Sequence, residues 1–71
     1  MTKVWDDVAF GPRNLGLDEA EVKYRVDAAL KRIGISHLAE REPWKLSGGE
    51  KLLAALAGIL VMNPSAVLLD E

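Results

Sequence analysis

The first third of the chain begins with apolar residues that recur at helical spacing. Between residues 4 and 10, Asp6 and Asp7 fall on one side of a helix and the apolar residues on the other. These apolar residues are Val4, Trp5, Val8 and Ala9. Because proline fixes φ and restricts the residue before it, we predict that Gly11-Pro12 interrupts this helix. Asn14-Leu15-Gly16 is then typical of a turn or a helix end.

A second, amphipathic helix is predicted between Asp18 and Gly34. Asp18 suits the N-cap, and Glu21 stands three residues later in the capping-box position. One apolar stripe follows, formed by Val22, Val26, Ala29, Leu30 and Ile33. Residues 31 and 32 are basic, which suits the negative end of the helix dipole, and Gly34 suits the C′ position.

The second half of the chain is predicted to contain a connector, a third helix and a strand. Residues 35–45 form a mixed connector with a short helical turn at 37–41, which Pro43 and Trp44 end. Ser47 can cap a helix over residues 48–62, and Asn63-Pro64 stops that helix. Residues 66–69 follow as a continuous apolar run of the kind found in central parallel strands.

The third helix is apolar on nearly every side, which is typical of a buried helix. Its apolar residues are Leu52, Leu53, Ala54, Ala55, Leu56, Ala57, Ile59, Leu60, Val61 and Met62. One strand cannot form a sheet, so the helix and the strand require neighbours that we do not find in these residues. We therefore expect a fragment that is mainly α, with three principal helices and one C-terminal β-strand, and that self-associates.

Composition and charge restrict the class of protein. With 71 residues, the chain has room for one small domain, and its 49% hydrophobic and 28% charged residues are typical of a globular protein. The net charge of −2 comes without a basic stripe, which argues against nucleic-acid binding. Cysteine is absent and His37 is the only histidine, so we expect neither disulfides nor a histidine-rich metal site, and we interpret His37 as an ordinary connector residue.

The first motif with chemical meaning is Leu46-Ser47-Gly48-Gly49-Glu50, at the start of the third helix. One interpretation is a plain capping box between Ser47 and Glu50. However, two glycines in a first helical turn cost about 1 kcal/mol each against alanine, and a cap has no use for that loss. Two residues without side chains at a helix N-terminus expose backbone amides that can bind an anion, and phosphate is the natural candidate.

The second motif is Val67-Leu68-Leu69-Asp70-Glu71. It can be a buried strand whose polar end marks the sheet boundary. In open α/β sheets, however, ligands bind beyond the carboxyl ends of the strands. Asp70 can hold Mg²⁺ through water there, and Glu71 can orient or deprotonate a nucleophile.

In their order and spacing, the two motifs resemble the ABC ATPase family. The signature loop of that family, here residues 46–50, precedes the Walker B strand, here residues 67–70, by about this distance. Residues 4–12 and 14–17 are similar to the entry of the helical subdomain in transporter ATPases, most of all the cobalt, nickel and vitamin importers of the energy-coupling-factor type. The resemblance covers essentially all 71 residues.

This resemblance implies a role for each site residue. In the family, two nucleotide-binding domains meet head to tail, and each ATP lies between one phosphate loop and the signature loop of the other domain. The signature residues would then bind the γ-phosphate of an ATP on the partner subunit; they are Ser47, Gly48, Gly49 and Glu50. Asp70 would assist Mg²⁺ through water, and Glu71 would act as the general base or orient the water.

The resemblance also implies domains and partners. Residues 1–45 would form the helical subdomain of a P-loop α/β nucleotide-binding domain, and residues 46–71 the signature loop, buried helix and Walker B strand of its core. Residues 4–16 would lie near the groove that receives a transmembrane permease, so the parent protein would be cytoplasmic, on the inner face of the cell membrane. The chain contains no Gly-x-x-x-x-Gly-Lys-Ser/Thr loop, and we expect the glutamine loop before Met1 and the switch histidine after Glu71. We therefore predict that the chain alone does not hydrolyse ATP.

Some features leave other interpretations open. Leu52 and Leu53 occupy positions where the family would have basic or polar residues, which allows exposed apolar surface after the signature. We interpret Trp5 and Trp44 as packing anchors, with adenine stacking as the alternative. A self-associating helical interaction module without nucleotide chemistry is the rival function. An ABC-type ATPase of DNA repair or chromosome structure is disfavoured, because its signature would follow a long coiled coil.

Overall fold

The computed structural model describes residues 2–62, which form three α-helices and two short 3-10 helices. Helix α1 spans Val4–Asn14, α2 spans Glu19–Ile33 and α3 spans Gly48–Val61. The 3-10 helices span Ser36–Leu38 and Pro43–Lys45. The prediction of a mainly α fragment is confirmed for these residues, whereas the predicted strand at residues 66–70 lies outside them.

Helix α1 continues through the proline that was predicted to interrupt it. Pro12 is buried within the last turn, and the helix ends at Asn14. Proline removes one amide hydrogen bond from the helix, and here only two more helical residues follow it. In addition, the preceding residue is Gly11, which has no Cβ to clash with the proline ring. The chain then turns at Gly16, whose φ of 82° confirms the predicted helix end.

The connector before α3 provides hydrogen-bond acceptors for the start of α1. The amide of Val4 donates to the carbonyl of Arg41 at 2.8 Å, and the amide of Trp5 donates to the carbonyl of Ala39 at 3.0 Å. The first amides of a helix have no acceptor within the helix, so these two bonds supply partners that are far away in sequence. They fasten the beginning of α1 to the segment that leads into α3.

Helix α2 begins and ends where its sequence predicts, but the Glu21 carboxylate does not complete the predicted capping box. Oδ1 of Asp18 accepts from the amide of Glu21 at 2.8 Å, while the Glu21 carboxylate pairs with Arg25 one turn later. Gly34 adopts the left-handed conformation at φ 85°, and its amide donates to the carbonyl of Leu30 at 2.9 Å.

The predicted helical turn in the connector is confirmed in kind but is shorter, at Ser36–Leu38. Pro43 and Trp44 begin a second 3-10 helix rather than ending the first. Proline suits this position because its fixed φ matches the first turn of a helix, where its missing amide is not needed.

A single core lies between the three helices. Its buried members are Val4, Val8, Ala9, Val22, Val26, Ala29, Leu30, Ile35, Leu38, Leu46, Ala57 and Val61. The predicted stripe of α2 faces this core, with Ile33 packed at its margin. Leu46, the residue before the serine of the signature motif, is therefore anchored inside the hydrophobic core.

Helix α3 has the predicted position, but within residues 2–62 it is not buried. Only Ala57 and Val61 of its side chains are buried, whereas Leu52 is 62% exposed and Ile59 is 68% exposed. The correction has a simple cause, since α1 and α2 cover one side of α3 and leave its other sides open. The apolar sequence indicated a surface that needs covering, and residues 2–62 do not cover it.

None of the helices in residues 2–62 combines the length and the apolar character that a membrane span requires.

Candidate functional site

The segment that enters α3 is held from both sides. Leu46 is buried in the core, and its amide donates to the carbonyl of Pro43 at 3.2 Å. Ser47 follows in an extended conformation, with φ −67° and ψ 168°, as an N-cap residue requires. The backbone at Ser47, Gly48 and Gly49 is therefore presented at the surface from a fixed base.

Ser47 and Glu50 form a reciprocal capping box. The amide of Glu50 donates to Oγ of Ser47 at 3.1 Å, and the amide of Ser47 donates to Oε1 of Glu50 at 3.0 Å. The cap that the sequence allowed is thus present. In this arrangement Glu50 supports the loop, because an ionised carboxylate has no hydrogen to donate to a phosphate. The Ser47 hydroxyl accepts in the cap and retains its own hydrogen for a ligand.

Gly48 and Gly49 are the first two residues of α3, and both are exposed. Their amides have no carbonyl acceptor within the helix, because the first helical turn leaves its amides unpaired. A Cβ at either position would meet no heavy atom within 4 Å. No packing against the described residues therefore requires glycine there. What glycine provides is unobstructed access to two amides at the positive end of the helix dipole.

Two lysines flank this helix terminus. Lys45 precedes the loop, and its Nζ lies 2.9 Å from Oε1 of Glu42. Lys51 follows one turn into α3, is exposed, and forms no ion pair within residues 2–62. The carboxylates of Glu42 and Glu50 balance the two lysine charges, so the partial positive charge of the helix N-terminus is what favours an anion here, with Lys51 as an exposed cation on the same helix.

A groove beside the loop was not foreseen from the sequence. It encloses about 660 Å³ between α1, the second 3-10 helix and α3. Its polar and aromatic members are Thr2, Asp7, Trp44 and Lys51. The spacing from Trp44 to Ser47 to Lys51 was visible in the sequence, but the contribution of α1 depends on contacts between distant residues.

Trp5, Asp70 and Glu71 were also singled out in the sequence, and Arg13 lies beside Trp5. Trp5 is a packing anchor, because it is partly buried against the hydrophobic core and its indole N–H donates to Oδ1 of Asp27 at 2.9 Å. Arg13 lies 5.6 Å from the Trp5 ring centroid and pairs with Glu19 at 2.9 Å, and this pairing raises the pKa of Arg13. Asp70 and Glu71 lie outside the described residues, so their roles stay predictions.

Helix α3 thus begins with two exposed glycines, an arrangement whose backbone amides can bind an anion. Residues 1–71 match the family model described as ABC transporter. The chain therefore belongs to the ABC transporter family.

Two curated relatives illustrate the similarity. The chain is 59% identical over 68 residues to the energy-coupling factor transporter ATP-binding protein EcfA of Methanoculleus marisnigri, and 54% identical over 68 residues to EcfA1 of Methanospirillum hungatei. Each match covers 96% of this chain and 24% of the relative. The chain thus spans about a quarter of the length of these proteins.

Proposed function

We propose that this chain is part of the ATPase subunit of an energy-coupling-factor-type ABC transporter, which couples ATP binding and hydrolysis to the import of a metal ion or vitamin. Two lines of argument support the proposal: the names of the relatives above and the geometry at the start of α3. The single observation on which it depends is the pair of unobstructed amides at Gly48 and Gly49. In this proposal they bind the γ-phosphate of an ATP held by a second subunit.

Each residue of the loop contributes differently to that task. The amides of Gly48 and Gly49 donate to phosphate oxygens, and the helix dipole adds a partial positive charge. Ser47 adds its hydroxyl hydrogen while its oxygen remains in the cap. Glu50 keeps the loop in shape through the amide of Ser47. Because these groups are fixed before ATP arrives, little reorganisation is needed on binding.

The acidic pair supplies the chemistry in this proposal. Asp70 holds Mg²⁺ through water, and Mg²⁺ when bound neutralises charge on the phosphates. Glu71 orients the attacking water or accepts its proton. The chain contains no phosphate loop, so we propose that hydrolysis needs the complete subunit and its partner, and that the isolated chain is inactive.

Assembly follows the same proposal. A second ATPase subunit presents its ATP to the signature loop in a head-to-tail dimer, and a transmembrane permease docks near Val4–Gly16. The side of α1 that includes Phe10 is exposed, as is Leu15 beyond the helix end, so apolar surface is present in this region. The parent protein would lie in the cytoplasm, at the inner face of the membrane, through its permease.

The proposal is tested by two matched alanine substitutions in the whole subunit, Gly49→Ala and Gly58→Ala. Both glycines lie in α3, and at neither position does an added Cβ meet an atom of residues 2–62 within 4 Å. Alanine favours the helix by up to about 1 kcal/mol, so unfolding cannot explain a loss of activity. We expect Gly49→Ala to lower ATP turnover by at least about tenfold, because its methyl group obstructs a preorganised amide donor whose complete loss would cost roughly 10²- to 10³-fold. Gly58→Ala should turn over ATP as the unsubstituted subunit does, and equal rates for the two variants would refute the phosphate role.

A helical interaction module without nucleotide chemistry is the second candidate. The exposed apolar side of α3 favours it, since such a surface binds protein. It predicts that the whole gene product neither binds nor hydrolyses ATP, so the turnover measurement above separates the two functions.

A further inference from the structure

The two tryptophans of the chain have different environments. Trp5 is partly buried and its indole N–H donates to Asp27. Trp44 is 56% exposed, and within residues 2–62 its indole N–H makes no hydrogen bond. The expectation that both are packing anchors therefore fails for Trp44. The exposed part of the Trp44 ring is accessible to a contact with something outside these residues.

The backbone holds Trp44 in a rigid position. It is the middle residue of the 3-10 helix Pro43–Lys45, whose first residue has the fixed φ of proline. The amide of Lys45 donates to the carbonyl of Glu42 at 2.9 Å, and Leu46 fastens the other end in the core. The indole has only two side-chain torsions to restrict, so a stacked ligand would cost little conformational entropy.

Trp44 is also close to the proposed phosphate site. Ser47 follows Trp44 by three positions, so their Cα atoms are at most about 11 Å apart. Trp44 and Lys51 line the same groove beside the start of α3. An aromatic face, a cation and unpaired amides therefore occur together, and these are the groups that bind the base and the phosphates of a nucleotide.

We propose that Trp44 stacks against the nucleobase of the nucleotide whose γ-phosphate reaches Ser47, Gly48 and Gly49. The inference rests on the proposed function, since it requires a nucleotide at the start of α3. Every base has a π-face, so stacking contributes affinity without choosing between adenine and guanine. Trp44 thus assists binding of the nucleoside end, while the glycine amides bind the phosphate end.

The test compares Trp44→Ala and Trp44→Phe in the whole subunit with its partner, using ATP, GTP and inorganic tripolyphosphate. Loss of base stacking corresponds to about 5- to 150-fold in affinity. We expect Trp44→Ala to raise KM for ATP and for GTP by a similar factor, on the order of tenfold, with kcat little changed. Trp44→Phe should restore most of the affinity. Tripolyphosphate has no base, so its inhibition constant should be the same with and without the indole.

A control and two contrary results complete the design. Tyr24→Ala, at an exposed aromatic residue on α2, should change none of these constants. If Trp44→Ala leaves KM for ATP unchanged, or weakens the binding of tripolyphosphate as much as that of ATP, the stacking role is overturned. Gly49→Ala tests the proposed function separately, because it should weaken the binding of tripolyphosphate and of ATP alike. If Gly49→Ala left the constants for ATP and tripolyphosphate unchanged, the proposed function would be refuted. If only the changes expected for Trp44→Ala were missing, the stacking alone would be refuted.

Discussion

At the scale of single residues, Ser47 combines a structural and a chemical use that can be separated. Its oxygen accepts from the amide of Glu50 at 3.1 Å and so caps α3, whatever else binds there. Its hydroxyl hydrogen remains available to a phosphate. Aspartate caps a helix about as well as serine does, but it presents a negative charge and no hydrogen. The two uses therefore respond differently to substitution.

We expect Ser47→Ala to lower the free energy of unfolding by about 1 kcal/mol, because the amide of Glu50 loses its acceptor. Ser47→Asp should keep the stability and yet reduce ATP turnover of the whole subunit, since its carboxylate repels phosphate. Thermal unfolding of the chain and ATPase assays of the subunit measure the two effects. If Ser47→Asp turned over ATP at the original rate, a phosphate at this position would be excluded.

At the scale of elements, α1 and α2 are joined by polar contacts outside the core. Trp5 on α1 donates to Asp27 on α2 at 2.9 Å, and Nζ of Lys23 lies 2.7 Å from the same carboxylate. Hydrogen bonds from Lys23 and then from Trp5 lower the pKa of Asp27 from its ordinary value of 3.8. Because about half of the Asp27 side chain is exposed, solvent screens this pairing and its effect on stability is small.

This direction of the pKa shift sets the sign of a pH effect. A carboxyl group with a lowered pKa in the folded state stabilises the fold above its unfolded pKa, and this stabilisation is lost as the pH falls through the folded pKa. We therefore expect Asp27→Asn to reduce stability slightly at pH 7 and to make no difference well below pH 3.8. Denaturant unfolding at several pH values measures this, with Asp7→Asn on α1 as the control. If Asp27→Asn lowered the stability by the same amount in acid as at pH 7, the ionisation of Asp27 would not be the cause of the effect.

The elements also show which parts of the fold could be predicted. Asp18, Gly34 and Ser47 set helix ends correctly because caps depend on residues within a few positions. The predicted interruption of α1 at Pro12 was wrong, because the effect of a proline depends on where the helix ends. The bond from Val4 to the carbonyl of Arg41 could not be predicted, since nothing local relates those residues.

The candidate site was predictable in part for the same reason. The glycines and the cap of α3 form a local pattern that the sequence displays, and the structure contains that cap. The exposure of Trp44 was not predictable, because it depends on how the connector packs against α1 and α3. The division of the chain at residues 45 and 46 into two domain parts stays a prediction.

At the scale of the whole molecule, the main feature is the uncovered apolar side of α3. Several of its large apolar side chains are exposed, and no charged residue occurs between Leu52 and Met62. A surface of this kind promotes association when its natural neighbour is missing. The isolated chain is therefore expected to associate with itself, as the sequence pattern also predicted.

Sedimentation of the isolated chain tests this expectation with two matched lysine substitutions. Ile59 on α3 and Tyr24 on α2 are both 68% exposed, so each substitution places a charge at an equally accessible position. We expect Ile59→Lys to shift the chain towards the monomer, because the charge must lose water when α3 is covered. Tyr24→Lys should sediment as the unsubstituted chain. A well-folded unsubstituted monomer at high concentration would contradict the prediction.

The most direct measurement of the central claim is ATP-dependent dimerisation of the whole subunit with leucine at both Gly48 and Gly49. Leucine is a good helix former, and at either position a Cβ meets no atom of the described part of the chain within 4 Å, so α3 should form as before. Sedimentation velocity with Mg²⁺ and ATP should then show monomers, each still able to bind ATP, where the unsubstituted subunit forms dimers. An ATP-loaded dimer that forms and turns over normally with both leucines in place would contradict the account.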